Sequence, residues 1–594
     1  MPKNTGVKYL WGPGRALLRK WPERNVLLLL SVVVGILCGL AAVLLKVAIH
    51  AIQRGLLHLF PSDGFNLPYL VLPGIGMLLS LLIVRYVVKR DIGHGVTKVL
   101  QAVSRNESRV ERHNIWSSLV TSALTIGFGG SVGAEAPIVY TGAAIGSNLG
   151  RYMGLSYRGV TLLLGCGAAG AVAGIFNAPL AGVLFTLEIL LFNLSMTSIL
   201  PLLLSTVSAT IVSYLCLGQA THFSCSLAAF SLANVPFYLL LGVFCGFCSL
   251  YFLRMTLRLE DRLGKMKRPL LRWALCAAAL GLLIFLFPPL FGEGYDDLVP
   301  LLNGEVLDFE GKTVLSFFMQ RKWAIPVFFA LILLLKVFAM TFTNAGGGVG
   351  GTFGPTLFSG AIAGFVLASV VNLIRPDTLP VANFVLVGMA GLMAGVMQAP
   401  MTAIFLIAEI SGGYGLLIPL IITSALSYGT MRLFEKYSIY TKRIAQTGEL
   451  LTHDSDHSVL TLLKTSELIE TDFIPVRIDA TLGDLVEAVS ASHRNIFPVL
   501  DSRGRFQGYV SLEDIRRDMF RTELYAVNHV YNYMRSAPEY VLEDESMESV
   551  MRKFEKSGAW NLPVVREGRI YAGFVSKSKI FNAYRVQLRD FSQD

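Results

Sequence analysis

Ionisable side chains are scarce in this sequence, 15% of residues against 53% apolar. Up to about residue 435 the carboxylates within the hydrophobic runs stand singly. A divalent-cation carrier needs several oxygen ligands gathered around one ion, and the isolated Glu135, Glu188 and Glu409 do not supply them. Cysteine is also sparse: the seven cysteines, from Cys38 to Cys276, lie in or beside apolar segments without metal-ligand spacing. They read as unpaired packing residues, and no metal site is expected. No P-loop, nucleophile elbow or metal-ligand cluster occurs, so an enzyme is not expected. The formal charge of +10 comes without a basic stripe interleaved with aromatics, which argues against a nucleic-acid partner.

What the chain has in quantity is long hydrophobic segments. They fall at about 25–52, 68–88, 116–128, 138–150, 158–174, 179–193, 196–217, 233–257, 270–290, 323–343, 355–374, 381–397, 400–411 and 415–434. The first is too long for a signal-peptide core and is followed by further spans, so it reads as a true membrane segment. Lys3, Lys8, Arg15, Arg19, Lys20 and Arg24 precede it against the single acid Glu23, which places the N-terminal segment 1–24 in the cytoplasm. The basic stretch Arg254 to Arg272 should share that side. The acidic loop with Glu293, Asp296, Asp297, Asp308 and Glu310 reads as external.

Several segments are shorter than the roughly 20 residues that cross a bilayer. Interrupted helices expose main-chain groups that lipid cannot satisfy, so they are expected only around an enclosed or wet site. The stretch Gly129-Gly130-Ser131-Val132-Gly133-Ala134-Glu135-Ala136-Pro137 puts one carboxylate into such a break, and an ionisable residue at membrane depth is by default functional. A second stretch, Gly347-Gly348-Val349-Gly350-Gly351-Thr352-Phe353-Gly354-Pro355, repeats it, pairing Gly133 with Gly351, Pro137 with Pro355 and Gly142 with Gly360. A further block, Gly167 to Gly174 through Ala178-Pro179 to Glu188, recurs as Gly388 to Gly395, Ala399-Pro400 and Glu409. The membrane part is an internal duplication, with repeats at about 25–220 and 233–440. Converging helix N-termini, carrying partial positive charge and unpaired N–H groups, make an anion site without any fixed cation, and duplicated halves with broken helices point to a transporter's site. Most other glycine runs serve close helix packing.

At these residues the sequence resembles the CLC family of chloride channels and proton-coupled chloride transporters. Gly93-His94-Gly95-Val96-Thr97 stands for the family's Gly-Ser-Gly-Ile-Pro, and Gly133-Ala134-Glu135-Ala136-Pro137 for Gly-Lys/Arg-Glu-Gly-Pro. Gly351-Thr352-Phe353-Gly354-Pro355 matches Gly-x-Phe-x-Pro completely, and the pore tyrosine falls at Tyr440. The likeness covers about 25–445. It implies an all-α polytopic membrane domain with two inverted repeats and broken helices, plus a cytoplasmic α/β CBS-pair domain. It further implies a homodimer in lipid with one chloride pathway per subunit. Glu135 becomes the gating glutamate. His94, Gly133, Ala134, Ala136, Thr352, Phe353, Gly354 and Tyr440 become the anion-binding set, with amides around Glu135, Ala136, Thr352 and Phe353 as donors. A carboxylate can fill an anion site until protonation or an entering anion displaces it, so proton and halide compete for one place.

The departures are informative. His94 replaces the serine that would cap the central anion: an imidazole N–H can donate to an anion, or the loop backbone can satisfy it. Thr97 loosens the turn that proline would fix, and Ala134 removes a cation near the gate. Ile189 stands where proton-coupled members typically carry a second glutamate. An isoleucine relays no proton, so the sequence favours a passive, gated channel, with proton–chloride exchange as the alternative. Glu188 and Glu409, equivalent in the two repeats, are expected to cap or brace helices. Relatives specialised for fluoride depart at the same first motif, but the complete third motif and Tyr440 favour chloride.

After a linker at 446–469, a second repeat pairs Ile496-Phe497-Pro498-Val499 with Asn561-Leu562-Pro563-Val564, and Gly508-Tyr509-Val510-Ser511 with Gly573-Phe574-Val575-Ser576. Each unit reads as strand, amphipathic helix, two strands and a helix. This resembles a CBS pair over 470–522 and 529–590. Ser511 and Asp514 fit the pattern by which some members hold an adenine nucleotide, whereas the second unit has Ser576 and Lys579; a structural, dimer-bracing tail is favoured. No other cofactor is expected. The likeness places the protein in the plasma (inner) membrane as a multi-pass protein with both termini cytoplasmic. A CBS-regulated cation transporter is the remaining alternative, weakened by the lack of clustered carboxylates.

Overall fold

The computed structural model describes residues 22–59, 67–90, 92–93, 95–105, 108–190, 196–218, 227–302, 323–446 and 463–592. His94, Lys3 to Lys20, Asp308, Glu310 and most of the 446–469 linker lie outside the described residues. The chain divides into two compact units, residues 1–450 and 451–594.

The first unit is all helical. Nine helices among the described residues are long and apolar enough to cross a membrane, and four apolar helices are shorter: Ser117–Gly127, Pro179–Glu188, Val381–Met397 and Pro400–Ile410. The helix series Glu135–Tyr152, Tyr157–Phe176, Pro179–Glu188 and Met196–Leu217 recurs as Phe353–Ile374, Val381–Met397, Pro400–Ile410 and Leu417–Phe434. Local sequence explains the matching breaks. Tyr157–Phe176 ends on Asn177 and Val381–Met397 ends on Gln398, both with left-handed backbone. An Ala-Pro pair then opens the next helix, with proline in the first turn where its missing N–H costs nothing.

Glycine allows the helices to touch. A Cβ on Gly142 would lie 2.1 Å from Gly167 O, and one on Gly360 would lie 2.5 Å from Gly388 O, so equivalent glycine pairs set equivalent close crossings in the two halves. Each short helix also caps the other. Glu409 accepts the amides of Leu180 and Ala181 at 3.0 and 2.9 Å. Glu188 accepts those of Met401 and Thr402 at 2.9 and 2.7 Å, and the Thr402 hydroxyl at 2.7 Å. Both acids thus satisfy first-turn donors of a partner helix, a charge-assisted use of a carboxylate.

Two helices escape a reading by hydrophobicity. Gly95–Arg105 is amphipathic and Tyr295–Leu302 carries two acids, so neither forms an apolar run.

The second unit holds two like sheets. Val476–Arg477 pairs in parallel with Ile496–Leu500, which pairs antiparallel with Phe506–Ser511. Val541–Leu542, Asn561–Arg566 and Ile570–Ser576 repeat the arrangement. The register aligns Ile496 with Ser511 and Asn561 with Ser576, and each central strand has an irregularity at the equivalent place. Residues 463–469, assigned to the linker from composition, are folded: Leu468 joins the core of the second repeat with Val541 and Val564. Just after them, the Glu470 and Phe574 main chains exchange hydrogen bonds of 2.7 and 3.0 Å.

Candidate functional site

The two glycine-rich turns meet at the tips of two opposed helices. Gly133 N donates to Gly351 O at 3.1 Å and Gly351 N to Gly133 O at 2.7 Å, a two-bond clamp between repeat-equivalent residues. Behind it, Ser131 N donates to Thr343 Oγ1 at 3.1 Å and Val349 N to Thr125 Oγ1 at 3.0 Å. Each turn therefore rests on a threonine of the opposite half. The helices beginning at Glu135 and Phe353 consequently point their N-terminal dipoles toward one place.

The Glu135 side chain occupies that place, with the residue only 3% exposed. Oε2 accepts the Gly354 amide at 3.2 Å, and Oε1 accepts the Tyr295 hydroxyl at 3.0 Å. Gly354 lies in the first turn of the Phe353 helix, so the carboxylate takes up a donor that the helix itself cannot satisfy. Ala136 and Phe353 also lie in first turns, where no carbonyl of their own helix reaches their amides. An acceptor of one negative charge is thus seated where the fold has gathered partial positive charge.

The other candidate residues divide into two groups. Thr352 and Tyr440 lie close together, with the Thr352 hydroxyl 3.5 Å from the Tyr440 oxygen, and both are buried. The Phe353 ring packs at 5.5 Å from Phe176 and 6.2 Å from Phe185. Gly133 and Ala134, by contrast, have committed amides: Gly133 N to the clamp, and Ala134 N to Glu293 Oε1 at 2.8 Å. The main-chain N–H groups of these two members of the expected anion-binding set are thus taken up within the fold. Gly95 backs onto the Glu135 helix, where a Cβ would lie 2.3 Å from Ala136 O, so the first motif joins the same site although His94 is outside the described residues.

A family model described as voltage gated chloride channel matches residues 75–432, and CBS domain matches fall at 466–521 and 530–586. The chain belongs to the voltage-gated chloride channel family. Within that CLC family it is 29% identical over 387 residues to a putative chloride channel protein ClcB-like of Ralstonia nicotianae, covering 64% of this chain and 86% of the relative. It is 27% identical to the H(+)/Cl(-) exchange transporter ClcA of Vibrio cholerae, covering 71% and 89%. Its fold resembles a slow cyanobacterial Cl-/H+ antiporter (TM-score 0.61, 23% identity, 72% of this chain and 98% of that one). It also resembles a eukaryotic CLC transporter (TM-score 0.59, 18% identity, 95% and 98%).

In this CLC chain, sequence reasoning misses Tyr295, Glu293 and Lys336. Lys336 is fully buried; its Nζ donates to Gly292 O at 3.2 Å and stands 4.6 Å from the Phe358 ring centroid. Glu293 reads from composition as part of an external acidic loop, yet it holds the residue before Glu135. A signal is present. Gly292-Glu293-Gly294 leads into Tyr295–Leu302, as Gly93-His94-Gly95 leads into the corresponding helix of the first half. Ile189 follows the Pro179–Glu188 helix and is 4% exposed among apolar neighbours.

In the CBS unit, Ser511 caps the short helix Leu512–Ile515, accepting from Glu513 N at 3.1 Å, and Ser511 N donates to Asp514 Oδ2 at 3.0 Å. Asp514 Oδ1 is paired with Arg535. Both carboxylate oxygens are used within the fold, and Asp514 is absent from the lining of the adjoining cleft of about 940 Å³, which Ser511, Arg516, Arg535 and Trp560 help to form. These residues do not fit a ribose contact at Asp514. At the equivalent place in the second repeat, Ser576 accepts Lys579 N at 3.2 Å and its hydroxyl bonds to Glu470.

Proposed function

We propose that this membrane anion transporter exchanges chloride for protons, with Glu135 as the group both ions contest. One observation carries the reading: a buried carboxylate accepts a helix-tip amide where two opposed N-termini converge. A chloride ion offers the same charge and would accept the same kind of donor. Protonation removes the charge that holds Glu135 in place, so proton uptake and anion entry are linked. The amides of Ala136, Phe353 and Gly354, with the Thr352 and Tyr440 hydroxyls, are the donors we assign to the ion; the role of His94 as a further donor rests on the motif alone.

Exchange takes precedence over the passive channel that Ile189 favours. Named relatives include H(+)/Cl(-) exchange transporters as well as chloride channel proteins, and an acid at position 189 is one way, not the only way, to move a proton. The second reading keeps a specific support: Ile189 is apolar and buried, so no side chain there carries a proton onward. Apart from proton transfer to and from the Glu135 carboxylate in the exchange reading, no covalent bond is made or broken. The expected setting is a homodimer in the plasma (inner) membrane with cytoplasmic termini, its CBS pair serving as a structural brace.

Simultaneous chloride and proton flux from reconstituted vesicles separates the two. Exchange predicts that a chloride gradient drives protons uphill and that the zero-current voltage moves with pH. A zero-current voltage that ignores a proton gradient would establish the channel.

A further inference from the structure

Tyr295 reaches Glu135 from outside the two glycine-rich turns, from the helix Tyr295–Leu302. Besides Glu135's own main-chain amide, two donors from elsewhere in the fold reach the carboxylate: Gly354 N bonds Oε2, and the Tyr295 hydroxyl bonds Oε1. Three contacts hold the segment that delivers this hydroxyl. Gly292 N donates to Gly129 O at 3.1 Å, buried Lys336 donates to Gly292 O at 3.2 Å, and Glu293 Oε1 accepts Ala134 N at 2.8 Å. The phenol is therefore presented at a fixed position relative to the Glu135 turn.

Its chemistry suits the place. A phenol donates a hydrogen bond to an ionised carboxylate while adding no charge of its own. A lysine or arginine there would bind both the carboxylate and a halide by charge, and would blunt their competition. Other ionisable groups bear on Glu135: Glu293 from the same segment, Lys46 from the helix Glu23–Leu59, and Tyr440 from Ile439–Gln446. Lys336 lies behind Gly292. Of these, Tyr295 is the one whose hydrogen bond to the carboxylate is made from the 292–295 segment.

We propose that Tyr295 is a positioning residue for transport: its hydroxyl holds ionised Glu135 on the helix tips and sets how readily chloride or a proton replaces it. The inference rests on Glu135 being the contested group, as in the exchange reading. Loss of the hydroxyl weakens the seated, ionised state. A proton then wins at higher pH, and chloride displaces the carboxylate at lower concentration. A hydrogen bond to a charged group corresponds to about a tenfold change in such a balance, or roughly one pH unit.

The test uses the full chain in vesicles, as wild type, Tyr295→Phe, Glu135→Gln and the double variant, each checked for monodisperse elution and reconstituted at equal density. Tyr295→Phe keeps the ring and deletes only the hydroxyl. Chloride flux is measured against pH and against chloride concentration. The expected result is that Tyr295→Phe raises the pH of half-maximal flux by about one unit and lowers the half-saturating chloride about tenfold, and that neither shift occurs in the Glu135→Gln background. Unchanged midpoints in Tyr295→Phe overturn the proposal, as do equal shifts in both backgrounds, which would mark a general structural effect. Glu135→Gln with wild-type proton coupling removes the exchange reading itself, an outcome read from a different variant.

Discussion

Gly133 and Gly354 face one another beneath the Glu135 carboxylate. A Cβ on Gly133 would stand 2.8 Å from Gly354 N and 2.0 Å from Glu135 Oε2, while one on Gly354 would stand 3.1 Å from Gly133 Cα and 3.0 Å from Glu135 Oε1. The carboxylate can rest on the helix tips only because neither residue has a side chain. Gly133→Ala is therefore expected to expel the carboxylate and forfeit a charge-assisted hydrogen bond of about 1.5–3 kcal/mol. Chloride flux measured across pH 5 to 8 should lose most of its pH dependence in this variant. Retention of the wild-type profile would mean that the carboxylate does not need this space.

Glu188 and Glu409 make a second prediction, about stability rather than transport. Each satisfies donors at the start of the other repeat's short helix. Replacing a buried or half-buried cap leaves donors unpaired, at a cost of about 1–3 kcal/mol. Glu188→Ala, which loses three contacts, should lower the thermal midpoint of the detergent-solubilised protein more than Glu409→Ala, which loses two. The ratio of chloride to protons carried should stay at its wild-type value in both. A changed ratio would move these acids from bracing into proton handling.

The CBS pair gives a third. Since Asp514 is tied to Ser511 N and Arg535, Asp514→Ala should destabilise the soluble unit by about 1 kcal/mol through loss of the helix-capping contact. Millimolar ATP or AMP should leave the wild-type thermal midpoint and chloride flux unaltered. A rise in midpoint with ATP that Asp514→Ala abolishes would restore a ribose contact at this residue.

How far these features are legible in the sequence depends on whether they stand in the chain as local pattern. Glu135 is visible because a carboxylate in a glycine-rich apolar run is costly unless it meets a partner or a wet cavity, and Phe353 because the repeat aligns it. The breaks at Pro179 and Pro400 announce themselves through Ala-Pro pairs. Tyr295 and Glu293 do not stand out, since an acidic loop looks like surface until the fold lays it against Ala134. The helix Gly95–Arg105 is hidden by its polar face. Likewise, the segment before Glu470 reads as linker by composition, yet Leu468 packs into the core of the second repeat with Val541 and Val564, a long-range contact that no local pattern announces. The commitment of the Gly133 and Ala134 amides is equally invisible, because a motif names residues and not the partners their N–H groups find.

Competition between the Glu135 carboxylate and chloride is tested most directly by Glu135→Gln, measured as proton movement driven by a chloride gradient in vesicles. Glutamine keeps the shape and an acceptor oxygen but carries no charge and does not cycle a proton. Wild-type protein should move protons uphill against the chloride it passes, whereas Glu135→Gln should pass chloride without moving protons and without pH dependence. Uphill proton movement of wild-type size in Glu135→Gln would contradict the claim that this carboxylate and chloride compete for one place.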